Sequence, residues 1–322
     1  MKLLIHALGV TMGGAMRHLT NFLPALAAQD TSNEYRILVR HGFPELFLPD
    51  NIRLERVPDE AASHWGRRLT LDIIQLPRKL SRERFDAIVS LTNFGPIWSP
   101  VPHIFFQRNP LYYCSHYLAT VSGKEKYETL MRRWLAMASM KRAALVVTPS
   151  NAMAEMIKET CPQVRKRPFR TLYHGYSKDS LTEPLESRYG EKLAVTGYKL
   201  LYPTHPATHK GFEILFEIVE LLKAEGLDFT LFTTISREDW PQGVDEYSRM
   251  IRERGLGQHV VFMGRVPQSQ MGALYERCDL MVYPSLCESL VGLKWPPVMS
   301  STRRESKKLR PKNWPKWLFV HL

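Results

Sequence analysis

The hydrophobic residues of the chain alternate between short apolar runs and longer stretches in which they recur at helical spacing. In the first 180 residues, the short runs predict strands at 2–8, 35–40, 85–90, 103–106 and 145–148. Helical spacing predicts helices at 15–28, near 65–80, at 124–143 and at 151–159. Ser150 stands where the last of these helices needs an N-cap. This alternation predicts βαβ units built on a parallel sheet.

The periodicity fades over residues 171–197, where Gly, Pro, Ser and charged residues accumulate, and this segment is predicted to be an interdomain linker. A second series follows, with strands at 199–202, 229–234, 259–263 and 280–283 and helices at 212–224, 245–254 and 269–278. The sequence therefore predicts an α/β fold with two doubly wound, Rossmann-like domains. The first spans residues 1–180 and the second residues 190–290.

The pattern stops at residue 291. Residues 291–322 mix three tryptophans with four prolines and carry a formal charge of +7, out of +12 for the whole chain of 322 residues. One interpretation makes this tail a binding arm for phosphates or an anionic membrane. The other makes it sequence unrelated to the fold, such as an out-of-frame translation. We favour the second because the pattern collapses abruptly, and we expect the second domain to be incomplete and marginally stable.

Composition narrows the class of protein. Hydrophobic residues make up 44% and charged residues 24%, as in an ordinary globular enzyme. No apolar run reaches the roughly 18 residues that span a bilayer. The apolar start is interrupted by His6, which favours a buried first strand over a signal peptide. The four cysteines are far apart and form no CxxC pair, so we expect reduced thiols, no metal site and a cytoplasmic protein.

Three motifs stand between a predicted strand and a predicted helix. Gly13-Gly14 follows the first strand, where glycines let the backbone approach a phosphate at a helix N-terminus. A plain tight turn would explain the same pair. In His209-Lys210-Gly211 the lysine lies unfavourably for the helix dipole, so a bound diphosphate would account for it, as would a solvated loop.

The third motif follows the last predicted strand and contains Ser285, Cys287 and Glu288. Ligands of open α/β sheets collect at such strand ends. A carboxylate there could bind sugar hydroxyls or a cationic transition state, or it could merely cap the next helix.

Together these motifs resemble the retaining glycosyltransferases with the GT-B fold, of the group 1 or family 4 type. The resemblance covers residues 2–289. It is carried by VVFMGRV at 260–266, LYERCDLMVYPS at 274–285, CES at 287–289 and VTPSN at 147–151.

The resemblance implies an acceptor domain followed by a nucleotide-sugar domain, and metal-independent transfer without a cofactor. Gly13 and Gly14 would lie against the diphosphate of a UDP- or GDP-linked donor, with His209 and Ser285 nearby. Lys210 would neutralise the leaving phosphate. The further expected donor residues are Gly264 and Val266, which would border the base, and Glu288, which would be the first glutamate of a Glu-x7-Glu motif that contacts the donor sugar.

The chain departs from the family pattern at three places. No arginine precedes Lys210 in residues 204–209, and Arg108 and Asn109 occupy the acceptor-side region where many members have a histidine. Both can donate hydrogen bonds to an acceptor sugar. Pro296 stands where the second glutamate belongs, and about a hundred further residues of the family pattern are missing.

The sequence therefore predicts a glycosyltransferase that acts on a saccharide or lipid-linked acceptor. The alternative is an inactive truncated remnant that acts at most as a binding module. A dehydrogenase is disfavoured because the sequence lacks a dinucleotide-binding fingerprint. Nucleic-acid binding is disfavoured because it would depend almost wholly on the charge of the tail. Without the tail the body has a formal charge of +5, which permits peripheral contact with the inner face of a membrane.

Overall fold

The first half of the chain forms one parallel sheet. The computed structural model describes residues 1–11, 13–63, 65–173, 182–205 and 207–287. The seven strands are β1 (Lys2–His6), β2 (Glu34–Arg40), β3 (Ile52–Val57), β4 (Ala87–Ser90), β5 (His103–Phe106), β6 (Leu145–Thr148) and β7 (Phe169–Thr171). They lie in the order β3-β2-β1-β4-β5-β6-β7 and every pair is parallel. The strand order therefore reverses direction between β1 and β4, where a doubly wound sheet forms its ligand crevice.

Helices cover both faces of this sheet. They are α1 (Gly13–Gln29), α2 (Asp59–Ser63), α3 (Trp65–Thr70), α4 (Leu76–Arg82), α5 (Ser115–Thr120), α6 (Gly123–Met140) and α7 (Asn151–Thr160). Leu19 and Leu23 of α1 pack against Ile5 and Ile37 on one face, whereas α4 packs against the opposite side of β1. The Ser150 hydroxyl accepts from the Met153 amide at 3.1 Å, as the predicted N-cap requires.

The second sheet has four strands within the described residues. These are β8 (Tyr198–Tyr202), β9 (Phe229–Thr233), β10 (Val260–Phe262) and β11 (Leu280–Met281), in the parallel order β10-β9-β8-β11. The helices are α8 (Ser187–Lys192), α9 (Phe212–Ala224), α10 (Pro241–Glu253) and α11 (Met271–Glu276). As the sequence predicts, β11 lies at an edge, with β8 as its only partner in the described part of the chain.

The predicted α/β fold with two doubly wound sheets is confirmed, with local corrections. Strands β3 and β7 escaped prediction because β3 is mostly half-exposed and β7 is only three residues long. Helix α8 lies in the segment predicted to be a linker, and its Tyr189 packs into the core of the second sheet. The predicted helix near 65–80 is interrupted by a π-helical turn at Leu71–Gln75.

The domain boundaries at residues 180, 190 and 290 stay a prediction. Residues 291–322 and Glu288 lie outside the described residues. No helix in the described ranges is both long and apolar enough to cross a membrane.

A buried polar cluster includes His6 at the carboxyl end of β1, Ser90 at the carboxyl end of β4 and His103 at the start of β5. His6 and Asp72 approach to 3.0 Å, and Arg68 donates to the same carboxylate at 2.7 Å. On the neighbouring strands, His103 Nε2 lies 2.9 Å from the hydroxyl oxygen of Ser90. Burial and the nearby His6 lower the pKa of His103 to about 3. The folded protein therefore holds His103 as a neutral imidazole.

This neutral imidazole makes stability depend on pH. The unfolded chain protonates His103 below about pH 6.5, whereas the folded chain resists protonation until the pH approaches about 3. Stability is thus fully present above about pH 6.5 and falls as the pH drops. We expect His103 to lower the free energy of unfolding by about 2 kcal/mol between about pH 6.5 and about pH 5. Urea denaturation of wild type and His103→Gln across this window measures the effect. Parallel pH profiles for the two proteins would contradict it.

Candidate functional site

Tyr202, the last residue of β8, joins two loops at the carboxyl edge of the second sheet. Its hydroxyl donates to the backbone carbonyl of Lys210 at 2.7 Å and lies 2.9 Å from the hydroxyl oxygen of Ser285. The residue is fully buried, and its ring packs edge-on against Tyr283. The loops after β8 and β11 are adjacent because their strands pair in parallel, and Tyr202 fixes their separation.

Lys210 lies in a single 3-10 turn, Thr208–Lys210, just before α9. Only 6% of its surface is exposed, so the alternative of a solvated loop lysine is wrong. The next residue, Gly211, adopts the left-handed conformation with φ of 64° and serves as the N-cap of α9. Since Gly211 offers no side chain, the first amides of α9 keep the capacity to bind an anion beside the Lys210 turn.

The loop after β11 lies against this turn. The Leu286 amide donates to the His209 carbonyl at 2.9 Å, and a side chain on Gly211 would overlap the Pro284 carbonyl oxygen. The structure thus brings together three of the residues predicted from sequence, His209, Lys210 and Ser285. Glu288 follows this loop but lies outside the described residues.

The Lys210 turn also contacts α5, a helix from the first half of the chain. The rings of Tyr117 and His209 meet edge-on at 6.1 Å between centroids. Cys287 packs in an apolar cluster with Cys114, Tyr117 and Val121. All four cysteines are buried and unbridged. The Lys210 turn therefore lies beside an apolar contact between the α5 region and the loop after β11.

Gly264 and Val266 lie in the loop after β10. Gly264 has a φ of 83° and lines a cavity of about 360 Å³ together with Arg188, Lys192 and Arg265. Val266 packs against the core of the second sheet.

Helix α8 holds this loop by hydrogen bonds to its carbonyl groups. Lys192 Nζ donates to the carbonyls of Phe262 at 2.8 Å and Met263 at 3.1 Å, and the Tyr189 hydroxyl donates to that of Arg265 at 2.6 Å.

Gly13 and Gly14 begin α1, the first element after β1 in the chain. Gly14 is exposed, and a side chain there would meet no atom within 4 Å. Gly14 is therefore accessible, and packing alone does not require glycine at this position.

Arg108 and Asn109 follow β5, and their backbone is fixed by a residue that the sequence analysis missed. Asn93, in the left-handed conformation with φ of 63°, accepts from the amides of Arg108 at 2.6 Å and Asn109 at 2.9 Å. The Asn109 side chain itself accepts from the Leu111 amide at 3.0 Å. Burial lowers the pKa of the Arg108 guanidinium. Of the two side chains, the Arg108 guanidinium carries the larger number of donor groups.

Tyr202, Tyr117 and Tyr189 also escaped the sequence analysis. In the sequence each has the pattern of a core aromatic residue, and each is buried. Their roles depend on hydroxyl and ring contacts to segments distant in sequence, which no local spacing encodes. For Asn93 a signal exists, since Asn followed by Phe-Gly is typical of a turn with a left-handed residue.

Comparison with protein families decides the class. The model of Glycosyltransferase Family 4 matches residues 12–180, more than half of the chain, and that of Glycosyl transferases group 1 matches residues 186–291. The chain belongs to the group 1, family 4 type glycosyltransferases. The Lys210 turn and the loops after β10 and β11 lie within the group 1 match.

Solved structures with the same fold include a glycosyltransferase and a protein in complex with UDP-glucose. Sucrose-phosphate synthase from Thermosynechococcus elongatus is 13% identical with a TM-score of 0.63, over 91% of this chain and 77% of that one. HepE from Anabaena, in complex with UDP-glucose, is 14% identical with a TM-score of 0.58, over 91% and 76% of the two chains. WaaG, a glycosyltransferase of lipopolysaccharide biosynthesis, is 16% identical with a TM-score of 0.55, over 88% and 75%. No curated protein matches the sequence. At these identities the structural likeness concerns the fold.

The close approach of Gly211 to Pro284 is testable by mutation in this glycosyltransferase. We expect Gly211→Ala to lower the free energy of unfolding by about 2–4 kcal/mol, because the new methyl group adds overlap with Pro284 to left-handed backbone strain. Gly226→Ala is the matched control, since Gly226 has a φ of 70° and no atom within 4 Å of the added carbon. It should lose only about 1–2 kcal/mol. Equal losses in urea denaturation would show that the Pro284 contact contributes nothing.

Proposed function

We propose that this glycosyltransferase moves a sugar from a UDP- or GDP-linked donor to a saccharide or lipid-linked acceptor. Transfer retains the anomeric configuration and needs neither a metal ion nor a cofactor. The observation that carries the proposal is the buried Lys210 beside Ser285 and the amino end of α9. The complexes of HepE with UDP-glucose and with UDP support a nucleotide-sugar donor.

The chemistry follows from the charge that develops during transfer. As the bond between the anomeric carbon and the diphosphate breaks, negative charge grows on the leaving phosphate. A lysine already held in place stabilises this charge without reorganisation, and the surrounding low dielectric strengthens the attraction. The free amides of α9 add partial positive charge at the same place. We therefore assign Lys210 to the leaving phosphate, with His209 and Ser285 beside it.

The remaining predicted residues complete the proposal. Gly264 and Val266 border the base, and Glu288 contacts the donor sugar. On the opposite side, Gly13 and Gly14 lie against the diphosphate, and Arg108 with Asn109 binds the acceptor. The acceptor hydroxyl loses its proton to the leaving phosphate, so no protein base is required.

The donor proposal is tested by thermal stability and turnover. A nucleotide sugar at a hundred times its Kd should stabilise the protein by about 2.7 kcal/mol. We expect Lys210→Met to lower donor hydrolysis or transfer about 100- to 1000-fold, because it removes the cation that faces the leaving phosphate. Lys223→Met, at the other end of α9, is the control and should keep near-normal turnover.

If no UDP- or GDP-linked sugar stabilises the protein, the donor proposal is wrong. The same assay with a chelator, and NMR of the product anomer, tests metal independence and retention. Loss of activity in chelator, or an inverted product, would refute the corresponding statement.

A second candidate is an inactive remnant that binds without transferring. The observation in its favour is Pro296, which occupies the position of the second glutamate implied by the resemblance. That glutamate would hold the donor ribose, so its loss should weaken donor binding. Pro296 lies outside the described residues.

Restoring the reading frame after residue 290 separates the two candidates. If the tail is out-of-frame sequence, the restored chain should bind and hydrolyse donor at least about 100-fold better, the scale expected when hydrogen bonds to two ribose hydroxyls are regained. Equal activity of both chains would remove the remnant candidate. A coding sequence without family-like residues in another frame would remove the frameshift itself.

A further inference from the structure

Helix α6 presents an apolar stripe to solvent. The exposed fractions of Tyr127, Leu130 and Trp134 are 68%, 42% and 56%. Their spacing of three and four residues places them on one face of the helix. The opposite face is buried, with Ala136 and Met140 in the core of the first domain. The helix is therefore apolar on two sides, and packing within the fold accounts for only one of them.

Basic residues are frequent in the part of the chain that carries this stripe. Residues 123–170 hold eleven Lys and Arg against four Glu, whereas residues 1–290 together have a formal charge of only +5. The positive charge of the body is thus concentrated in this segment. Lys124 and Lys141, at the two ends of the stripe, are both exposed. Further exposed basic residues are Lys126, Arg142, Arg165, Lys166, Arg167 and Arg170.

The amino end of α6 is connected to the candidate site. The Tyr117 hydroxyl donates to the Glu125 carboxylate in the first turn of α6 at 2.8 Å. The ring of Tyr117 also meets His209, the neighbour of Lys210. A surface that bound the stripe would therefore lie close to the place proposed for transfer.

We propose that the exposed face of α6 docks on an anionic lipid bilayer. The name docking stripe is used for Lys124, Tyr127, Leu130 and Trp134 of this face together with Lys141, the C-cap residue of α6. Its aromatic and aliphatic side chains enter the boundary between headgroups and acyl chains, while the flanking lysines bind lipid phosphates. Tyr and Trp suit this boundary because the apolar ring can lie among the acyl chains while its O–H or N–H group binds water or headgroups.

Docking would bring a lipid-linked acceptor to the site without a membrane-spanning helix. This consequence depends on the proposed function, whereas the docking itself does not. It also identifies the helix that makes the peripheral membrane contact, which the sequence alone left unassigned.

The test is cosedimentation of the full-length chain with vesicles. Wild type should bind phosphatidylethanolamine vesicles that contain phosphatidylglycerol at least about tenfold better than phosphatidylcholine vesicles, because the basic segment attracts anionic headgroups. Tyr127→Ser combined with Trp134→Ser should lower binding at least tenfold. Phe47→Ser is the control, since Phe47 is fully exposed but lies outside α6, and it should bind like wild type. Unfolding midpoints within a degree of wild type would show that all variants fold.

Charge reversal gives a second measurement. Lys124→Glu with Lys141→Glu should weaken binding and make it less sensitive to salt, because fewer counterions are released.

Three results would overturn the proposal. The first is unchanged vesicle binding by the Tyr127 and Trp134 variant, which would assign binding to the tail. The second is equal binding to neutral and anionic vesicles. The third is a wild-type protein that binds DNA in a salt-sensitive way but does not bind vesicles, with DNA binding lost in the substituted proteins. That result would assign the stripe to nucleic acid. Since donor stabilisation is measured without vesicles, failure of docking and failure of the proposed transfer activity are separate results.

Discussion

The hydrogen bonds of one tyrosine hydroxyl hold the candidate site together. Parallel pairing of β8 with β11 makes the loops after these strands neighbours, but it does not fix the distance between them. Tyr202 does so by binding the Lys210 carbonyl and the Ser285 hydroxyl at once. Because Tyr202 is fully buried, its hydroxyl cannot exchange these partners freely for water, and both loops are held in one geometry. The position of Lys210 depends on this constraint.

An apolar cluster that contains Cys287 and Tyr117 lies on another side of the Lys210 turn and adds to the effect of Tyr202. It excludes water next to a turn that carries a lysine. Charge interactions are stronger in such a medium, and a bound diphosphate would gain from it. The same cluster connects the Lys210 turn to α5 and thereby to α6. One set of contacts thus relates the charged turn to a helix that faces solvent.

The sequence predicted the central strands and the amphipathic helices because burial on one or both faces imposes a clear period. It failed at β3 and β7, where edge position and short length weaken that period. It also failed at α8, a six-residue helix whose importance comes from contacts with β10. Lys210 and Ser285 could be proposed from their places after strands. Their contact could not, because it depends on the strand register and on Tyr202, which resembles any core aromatic residue in sequence.

The contacts of α8 with the loop after β10 also bear on the order of folding. Tyr189 and Lys192 bind carbonyl groups 70 to 76 residues further along the chain. Closing so large a loop costs chain entropy before the hydrogen bonds form. We expect these contacts to form late, after β8 and β9 have paired locally. In folding kinetics, Tyr189→Phe would then mainly speed unfolding and leave the folding rate almost unchanged. Helix α8, which precedes every strand of the second sheet in sequence, would then be among the last elements to be fixed against that sheet.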